Sequence, residues 1–194
     1  SSDGMYSEIY CDPLAWLNEG TVDFISPQIY WPTTHNTAPF EPLAQWWDKV
    51  SAKFNRHLYV APAAYRLGEG TTTSSGGKNY SYIGGNTTTG WKELTKQVEI
   101  TRENTQSGSC GMIWYSTRWI NGPTTTGLGD YLLQNAYTPP SLIPAITWKD
   151  APTYPAPSGL SKSGTKLSWT AVPGAKSNSI IRYTVYAVPE NLTM

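Results

Sequence analysis

Three short segments of the chain are almost continuously apolar, and they dominate its hydrophobic pattern. They span residues 22–31, 57–65 and 110–116. Strands that are covered on both faces show continuous apolar runs, whereas a strand with one wet face alternates. The pattern therefore predicts three buried strands of a parallel sheet.

Helical spacing separates these runs. Apolar residues recur at intervals of three and four in residues 40–54, 91–101 and 128–135. Pro13 to Asn18, followed by Gly20, predicts the end of an earlier helix, and Gly90 and Glu93 are placed as a cap pair for the 91–101 helix. The resulting order, α-β-α-β-α-β-α, favours a parallel sheet with crossover helices.

The alternating region is too short for a complete barrel. A (β/α)8 TIM barrel needs about 250 residues, and the alternation ends near residue 137. The predicted fold class is therefore α/β, with residues 1–137 forming a sector of such a barrel.

After residue 137 the pattern changes. Residues 138–155 are rich in proline and have no helical or strand period, which predicts a linker or an extended wrap along the surface. In residues 156–194, Lys166–Trp169 alternates polar and apolar positions, and Arg182–Val188 is a second candidate strand. This last region is predicted to be a partial all-β segment.

Net charge, apolar runs and aromatic content indicate which kinds of partner the chain is suited to bind. Lys plus Arg is 14 and Asp plus Glu is 14, so the net charge favours neither nucleic acid nor an anionic membrane surface as a partner. No apolar run is long enough to predict a membrane span. The chain has 9 Trp and 13 Tyr but only 3 Phe. Rings with a polar end suit a wet cleft or an interface, although they can also pack a barrel.

Candidate binding residues follow from the barrel rule that function lies at the carboxyl ends of strands. The Gln28 amide can pair with the hydroxyl groups of a ligand, or it can be a buried amide that ties strand to loop. Tyr30 and Trp31 point to opposite faces of a strand, so one of the two is expected to line a cleft. Arg66 and Arg118 either bind a carboxylate or hydroxyl oxygen of a ligand, or are ordinary surface arginines. The predicted substrate-binding residues are Gln28, Tyr30, Trp31, Tyr65, Tyr115 and Trp119.

Candidate catalytic acids are harder to find. A hydrolytic site that works with two carboxylates needs them about 5 to 9 Å apart, and none of the strand ends named above supplies one. Asp23 lies at the start of its strand, which is the stability face of a barrel. Glu69 is the remaining candidate, in a Gly-, Ser- and Thr-rich loop that has the composition of a mobile lid. His35 and His57 lack metal-ligand spacing, so no metal or cofactor is expected.

Residues 23–31, which contain Pro-Gln-Ile-Tyr-Trp at 27–31, resemble the glycosyl-hydrolase-like family ten of bacterial barrel proteins. The residues at 46–47, 58–65 and 111–116 fit the same order. The resemblance covers about residues 5–137 and implies barrel strands six to eight, with the family's acid-rich strand end on an earlier half that this sequence does not contain. It also implies cleavage of a polysaccharide or peptidoglycan-type glycan and an extracytoplasmic location. Residues 156–169 are similar to the first strands of a fibronectin type III module.

Three hypotheses follow. The first is a fragment of a glycoside hydrolase that is inactive by itself because its catalytic carboxylates are elsewhere. The second is a noncatalytic glycan-binding protein with an aromatic cleft. The third is a chain that self-associates through exposed sheet edges.

Overall fold

The computed structural model describes residues 2–68, 73–75, 78–80, 88–104, 110–122, 127–138, 141, 144–149, 154–172, 183 and 185. The chain divides into two compact units, Ser1–Trp148 and Lys149–Met194. The division falls within the predicted proline-rich linker, residues 138–155.

The first unit alternates helices and strands. Its helices are α1 (Ser2–Ile9), α2 (Pro13–Glu19), α3 (Phe40–Lys53), α4 (Thr88–Glu103), α5 (Thr117–Ile120) and α6 (Leu128–Asn135), with a 3₁₀ helix at Ala64–Gly68. Its strands are β1 (Phe24–Ile25), β2 (Gln28–Ile29), β3 (His57–Pro62), β4 (Thr73–Ser75), β5 (Lys78–Tyr80) and β6 (Cys110–Met112).

The three predicted strands are parallel neighbours, as the sequence predicts. Strands β1 and β2 both pair with one edge of β3, and β6 pairs with its other edge. The first apolar run is one strand that is interrupted at Pro27. Proline has no N–H to give to a ladder, but its carbonyl still accepts from the Ala61 N–H at 2.9 Å.

One face of this sheet packs against helices. Leu58 and Val60 of β3 are completely buried there, against Phe40 and Ala44 of α3 and Ile100 of α4. Burial of each such aliphatic side chain stabilises the fold by about 1.5–3 kcal/mol. A second core cluster joins α4 to α6 through Leu67, Leu94, Val98, Leu128, Leu132 and Ala136.

The opposite face of the sheet is exposed. Phe24 is 48% exposed and Ile113 44% exposed, although both lie in or next to strands. Phe24 contacts Tyr59 at 5.4 Å between ring centroids. A side chain at Gly111 would approach the Tyr59 ring to 2.8 Å, so glycine leaves room for that ring. In a closed barrel this face would point to the interior.

Helix α2 ends where the sequence predicts, but it is a separate helix that begins at Pro13 and not the end of a longer one. The Asp12 carboxylate accepts from the Ala15 N–H at 3.0 Å, which satisfies an otherwise unpaired amide at the start of the helix. Gly20 ends the helix with a φ of 69°, and its N–H bonds to the Leu17 carbonyl. Glycine adopts this left-handed conformation at little cost.

Two helix positions differ from what their place in the sequence predicts. A tryptophan in the middle of an amphipathic helix is generally a core residue, but Trp46 is 47% exposed, because α3 buries the stripe that contains Phe40 and Ala44. Glu93 does not pair with Gly90 as a cap, because α4 begins at Thr88 and the Glu93 side chain bonds to Thr33. None of the helices in the described part of the chain has the length and apolar character needed to cross a membrane.

Residues 144–148, here termed the strap, lie across the amino ends of β1 and β3. The Trp148 indole N–H donates to the Asp23 carboxylate at 3.0 Å, and its ring lies 4.6 Å from the His57 ring. His57 Nε2 lies 3.1 Å from the Ala145 carbonyl oxygen. Asp23 therefore anchors the strap at the end of the sheet opposite to the carboxyl edge.

The second unit contains an antiparallel hairpin of β7 (Ser158–Ser163) and β8 (Lys166–Thr170), which includes the predicted strand at Lys166–Trp169. The Trp169 ring lies 5.3 Å from that of Tyr183, and the Tyr183 hydroxyl accepts from the Val172 N–H at 3.0 Å. Of the second candidate strand, Arg182–Val188, only residues 183 and 185 are described.

Candidate functional site

Three tyrosines meet at the carboxyl edge of the parallel sheet. Tyr30 follows β2, Tyr65 lies in the 3₁₀ helix after β3, and Tyr115 follows β6. The ring centroids are 5.6 Å apart for Tyr30 and Tyr65, and 6.0 Å apart for each pair that includes Tyr115. Two of these contacts are edge-to-face, a favoured geometry for aromatic pairs. These residues are termed the tyrosine cluster below.

Backbone hydrogen bonds hold two members of the cluster in place. The Tyr115 N–H donates to the Pro62 carbonyl, and the Tyr65 N–H donates to the Tyr115 carbonyl, each at 3.3 Å. The first bond extends the ladder between β3 and β6 beyond the last assigned strand residue. The tyrosine cluster is therefore a continuation of the sheet.

Strand alternation separates Tyr30 from Trp31. Ile29 is 2% exposed and faces the helices, so Tyr30 points to the other face. Trp31 returns to the helix side, where it packs against the core with its ring 6.1 Å from His35. Of this pair, Tyr30 is the residue that joins the cluster.

Gln28 lies two residues before Tyr30 on the same face of the sheet, opposite Ala61 of β3. Its side chain is exposed. An exposed amide does not fit the alternative of a buried group that ties strand to loop. Gln28 can present one donor and one acceptor group to a ligand on this face.

The remaining predicted residues are near members of the cluster in the chain. Trp119 lies on α5, is half-buried, and has the Arg118 guanidinium 5.6 Å from its ring. Arg66 is next to Tyr65, with its guanidinium 5.9 Å from that ring. Glu69 lies outside the described residues, as does most of the loop predicted to act as a lid.

Burial sets the electrostatics of the site. It raises the pKa of Tyr30, and the neighbouring Tyr65 and Tyr115 raise it further. Burial also lowers the pKa of His35, and the positive charge of Arg66 adds to this effect. Tyr30 is therefore a neutral phenol at neutral pH, able to donate and to accept hydrogen bonds.

Sequence reasoning missed the role of one buried carboxylate near this edge. Glu93 of α4 is 7% exposed, and its oxygens accept from the Thr33 N–H at 2.6 Å and from the Thr33 hydroxyl at 2.9 Å. Gln97, one turn along α4, donates to Glu93 at 3.0 Å. A Glu and a Gln four residues apart beside the apolar stripe of a helix were the signal for this pair.

The described residues contain no group of three His, Cys, Asp or Glu side chains that could hold a metal ion. At the carboxyl edge, the described tyrosines and Gln28 offer aromatic stacking and hydrogen bonding.

Part of the chain matches the model of a known protein family. Residues 3–77 match the family model of Glycosyl hydrolase-like 10. The match supports the predicted resemblance to the glycosyl-hydrolase-like family ten. The matched residues include β1, β2 and β3 together with Tyr30 and Tyr65, whereas Tyr115 lies beyond them.

Relatives point in the same direction. The chain is 30% identical over 146 residues to Glycosyl hydrolase YngK of Bacillus subtilis (strain 168), which covers 75% of this chain and 25% of that protein. It is 32% identical over 127 residues to Glycosyl hydrolase DigH of Escherichia coli (strain K12), covering 66% of this chain and 27% of that protein. The chain thus spans about a quarter of the length of these curated relatives.

Proposed function

We propose that this chain is part of a glycoside hydrolase and that its tyrosine cluster, together with Gln28, binds the glycan. The observation that carries the proposal is the meeting of Tyr30, Tyr65 and Tyr115 at one edge of a parallel sheet, with ring centroids 5.6–6.0 Å apart. The family match and the relatives named as glycosyl hydrolases support it.

The chemistry of the cluster suits a sugar. Aromatic rings offer flat apolar faces to the C–H faces of a pyranose, while their hydroxyls can pair with sugar hydroxyls. Tyr115 is 55% exposed and therefore accessible to a ligand without rearrangement. A polysaccharide or peptidoglycan-type glycan is the proposed ligand, and Trp119 extends the same surface along α5.

The catalytic carboxylates are proposed to lie in parts of a longer protein. Hydrolysis of a glycosidic bond generally needs two carboxylates. Near the cluster, the Glu93 carboxylate is buried and bonded to Thr33 and Gln97, and the other described polar side chains are phenols, the Gln28 amide and the guanidinium groups of Arg66 and Arg118. We therefore expect this chain by itself to bind a glycan without cleaving it. The parallel sheet with one helix-covered face supports its place as about strands six to eight of a TIM barrel.

Binding to an insoluble glycan tests the proposal. Tyr115→Ala should weaken retention of the chain on peptidoglycan sacculi by about fivefold to tenfold, because one aromatic contact contributes about 1 kcal/mol. Tyr10→Ala is the matched control, since Tyr10 is 88% exposed and precedes α2. If the wild type, Tyr115→Ala and Tyr65→Ala are retained equally, the tyrosine cluster is not the binding site.

A noncatalytic glycan-binding protein is the second candidate, and the phenolic character of the cluster favours it. The two candidate functions predict the same behaviour for this chain, and they differ only in whether a longer protein that contains it cleaves the glycan. Release of soluble sugars by a chain as long as the relatives would favour the enzyme. Retention on the glycan without release would favour the binding protein.

Two further parts of the proposal rest on resemblance. The hairpin β7–β8, with Trp169 packed on Tyr183, supports a partial fibronectin type III module in residues 156–194. An extracytoplasmic location is proposed from the family, and a periplasmic or secreted pool of the tagged protein would be expected on fractionation.

A further inference from the structure

Glu93 is a buried charge that the proposed binding surface does not use. Its carboxylate is satisfied by three donors: the Thr33 N–H, the Thr33 hydroxyl and the Gln97 amide. Burial of a carboxylate is costly unless such hydrogen bonds compensate for lost water. The bond from the Thr33 N–H is short at 2.6 Å, as expected for a charge-assisted bond.

The hydrogen bonds of Glu93 and Gln97 connect α4 to the segment that follows Tyr30. Thr33 lies three residues after Tyr30, in the turn between β2 and α3, and is 60 residues away from Glu93 in the chain. Gln97, which is fully buried, also donates to the Trp31 carbonyl at 3.5 Å. Both polar groups of α4 therefore contact the backbone that leads away from Tyr30.

Helix α4 does not need these bonds to stay on the sheet. Leu94, Val98 and Ile100 already bury their side chains in the two core clusters. The turn at residues 31–33 has Pro32 at its centre, which has no N–H to give to a ladder, although its carbonyl accepts from the N–H groups of His35 and Phe40 at 3.2 Å each. Glu93 adds to these bonds a restraint on Thr33, whose N–H and hydroxyl both donate to the Glu93 carboxylate.

We infer that Glu93 is a positioning residue, which fixes the turn at Trp31–Thr33 from α4 and so holds Tyr30 in the tyrosine cluster. This inference rests on the proposed function as far as glycan binding is concerned, but the position of the Tyr30 ring can be measured without a glycan.

The test compares Glu93→Ala, Glu93→Gln and a control, with two readouts. Glutamine keeps one acceptor oxygen for the Thr33 N–H, and its amide can donate to the Thr33 hydroxyl, so it should restore most of the restraint. The control is Asp48→Asn, since Asp48 is a carboxylate that is 2% exposed on α3. The first readout is the ¹⁹F signal of the Tyr30 ring in chains labelled with fluorotyrosine, assigned by its loss in Tyr30→Phe. The second is retention on peptidoglycan sacculi.

In Glu93→Ala the Tyr30 signal should move toward that of an exposed tyrosine, and retention should fall by about tenfold. In Glu93→Gln and Asp48→Asn both readouts should stay close to those of the wild type. The titration midpoint of the Tyr30 ring should also fall in Glu93→Ala alone, because the ring loses the burial that raises its pKa.

A Tyr30 signal that is unchanged in Glu93→Ala would overturn the inference. If Glu93→Ala does not fold, Thr33→Val decides instead, because it removes only the hydroxyl donor. A partial shift of the Tyr30 signal supports the inference, and a wild-type signal refutes it. A wild-type chain that fails to bind the sacculi, while Glu93→Ala still moves the Tyr30 signal, would refute glycan binding but leave the positioning role intact.

Discussion

At the scale of single residues, the turn after β2 is organised by side chains that replace backbone partners. His35 is 7% exposed, and its Nδ1 accepts from the Ala38 N–H at 2.9 Å and from the Thr37 N–H at 3.3 Å. Burial and the nearby Arg66 charge lower the pKa of this imidazole. The ring therefore serves as a neutral acceptor, and its protonation would remove that role.

The pH dependence of stability follows from this shift. Because the pKa of His35 is lower in the folded chain than its ordinary 6.5, the unfolded chain binds the proton more readily. The stabilisation is therefore present above about pH 6.5 and is lost as the pH falls below it. Urea unfolding of the wild type should show a falling free energy of unfolding between about pH 7.5 and pH 5.

His35→Asn is the informative variant, since asparagine keeps an acceptor for the two amides and does not titrate in this range. Its free energy of unfolding should fall less over the same interval. An equal fall in the two proteins would show that other groups cause the dependence.

At the scale of elements, the strap joins a segment with no helix or strand to the amino ends of the sheet. The Arg56 guanidinium lies 4.9 Å from the Trp148 ring, and its Nε donates to the Val22 carbonyl at 2.9 Å. Together with Asp23 and His57, these contacts make Trp148 the anchor of the strap. Residues 144–148 thus behave as part of the first unit.

Trp148→Ala should destabilise the first unit by about 2–3 kcal/mol, because a half-buried ring and its hydrogen bond to Asp23 are lost. Trp148→Phe should cost about 1 kcal/mol, mainly for the hydrogen bond. Ile146→Ala provides the control, since Ile146 is 43% exposed in the same strap. Urea denaturation measures all three, and a Trp148→Ala chain as stable as Ile146→Ala would show that the strap only rests on the surface.

At the scale of the whole molecule, the first unit covers one face of its sheet and leaves the other exposed. Phe24, Ile113 and Tyr115 are 48%, 44% and 55% exposed on or beside that face. Among the described strands, no partner pairs with the outer edges of β1, β2 or β6. Exposed apolar faces and open edges favour association.

We therefore expect the isolated chain to self-associate. Light scattering should give a mass above 21.4 kDa that rises with concentration. Phe24→Glu should reduce the association, because it puts a charge on the exposed face, on the edge strand β1. A stable monomer at every concentration tested would contradict the expectation.

The sequence by itself determined the strands of the parallel sheet and the order of the main helices around them, but not α1, α5 or the short strands β4 and β5. Continuous apolar runs predicted β1 with β2, β3 and β6, and spacings of three and four predicted α3, α4 and α6, because buried faces impose those periods on any chain. The barrel rule also selected Tyr30, Tyr65 and Tyr115 together, since the carboxyl ends of parallel strands share one edge.

Only the tertiary structure decided which side chains meet. It placed Tyr30 rather than Trp31 in the cluster, joined Glu93 to Thr33 across 60 residues, and fastened Trp148 to Asp23 across 125 residues. A local sequence pattern predicts whether a side chain is buried, but it does not predict which distant residue that side chain contacts. The partners of these groups are set by how helices, turns and the strap pack on the finished sheet.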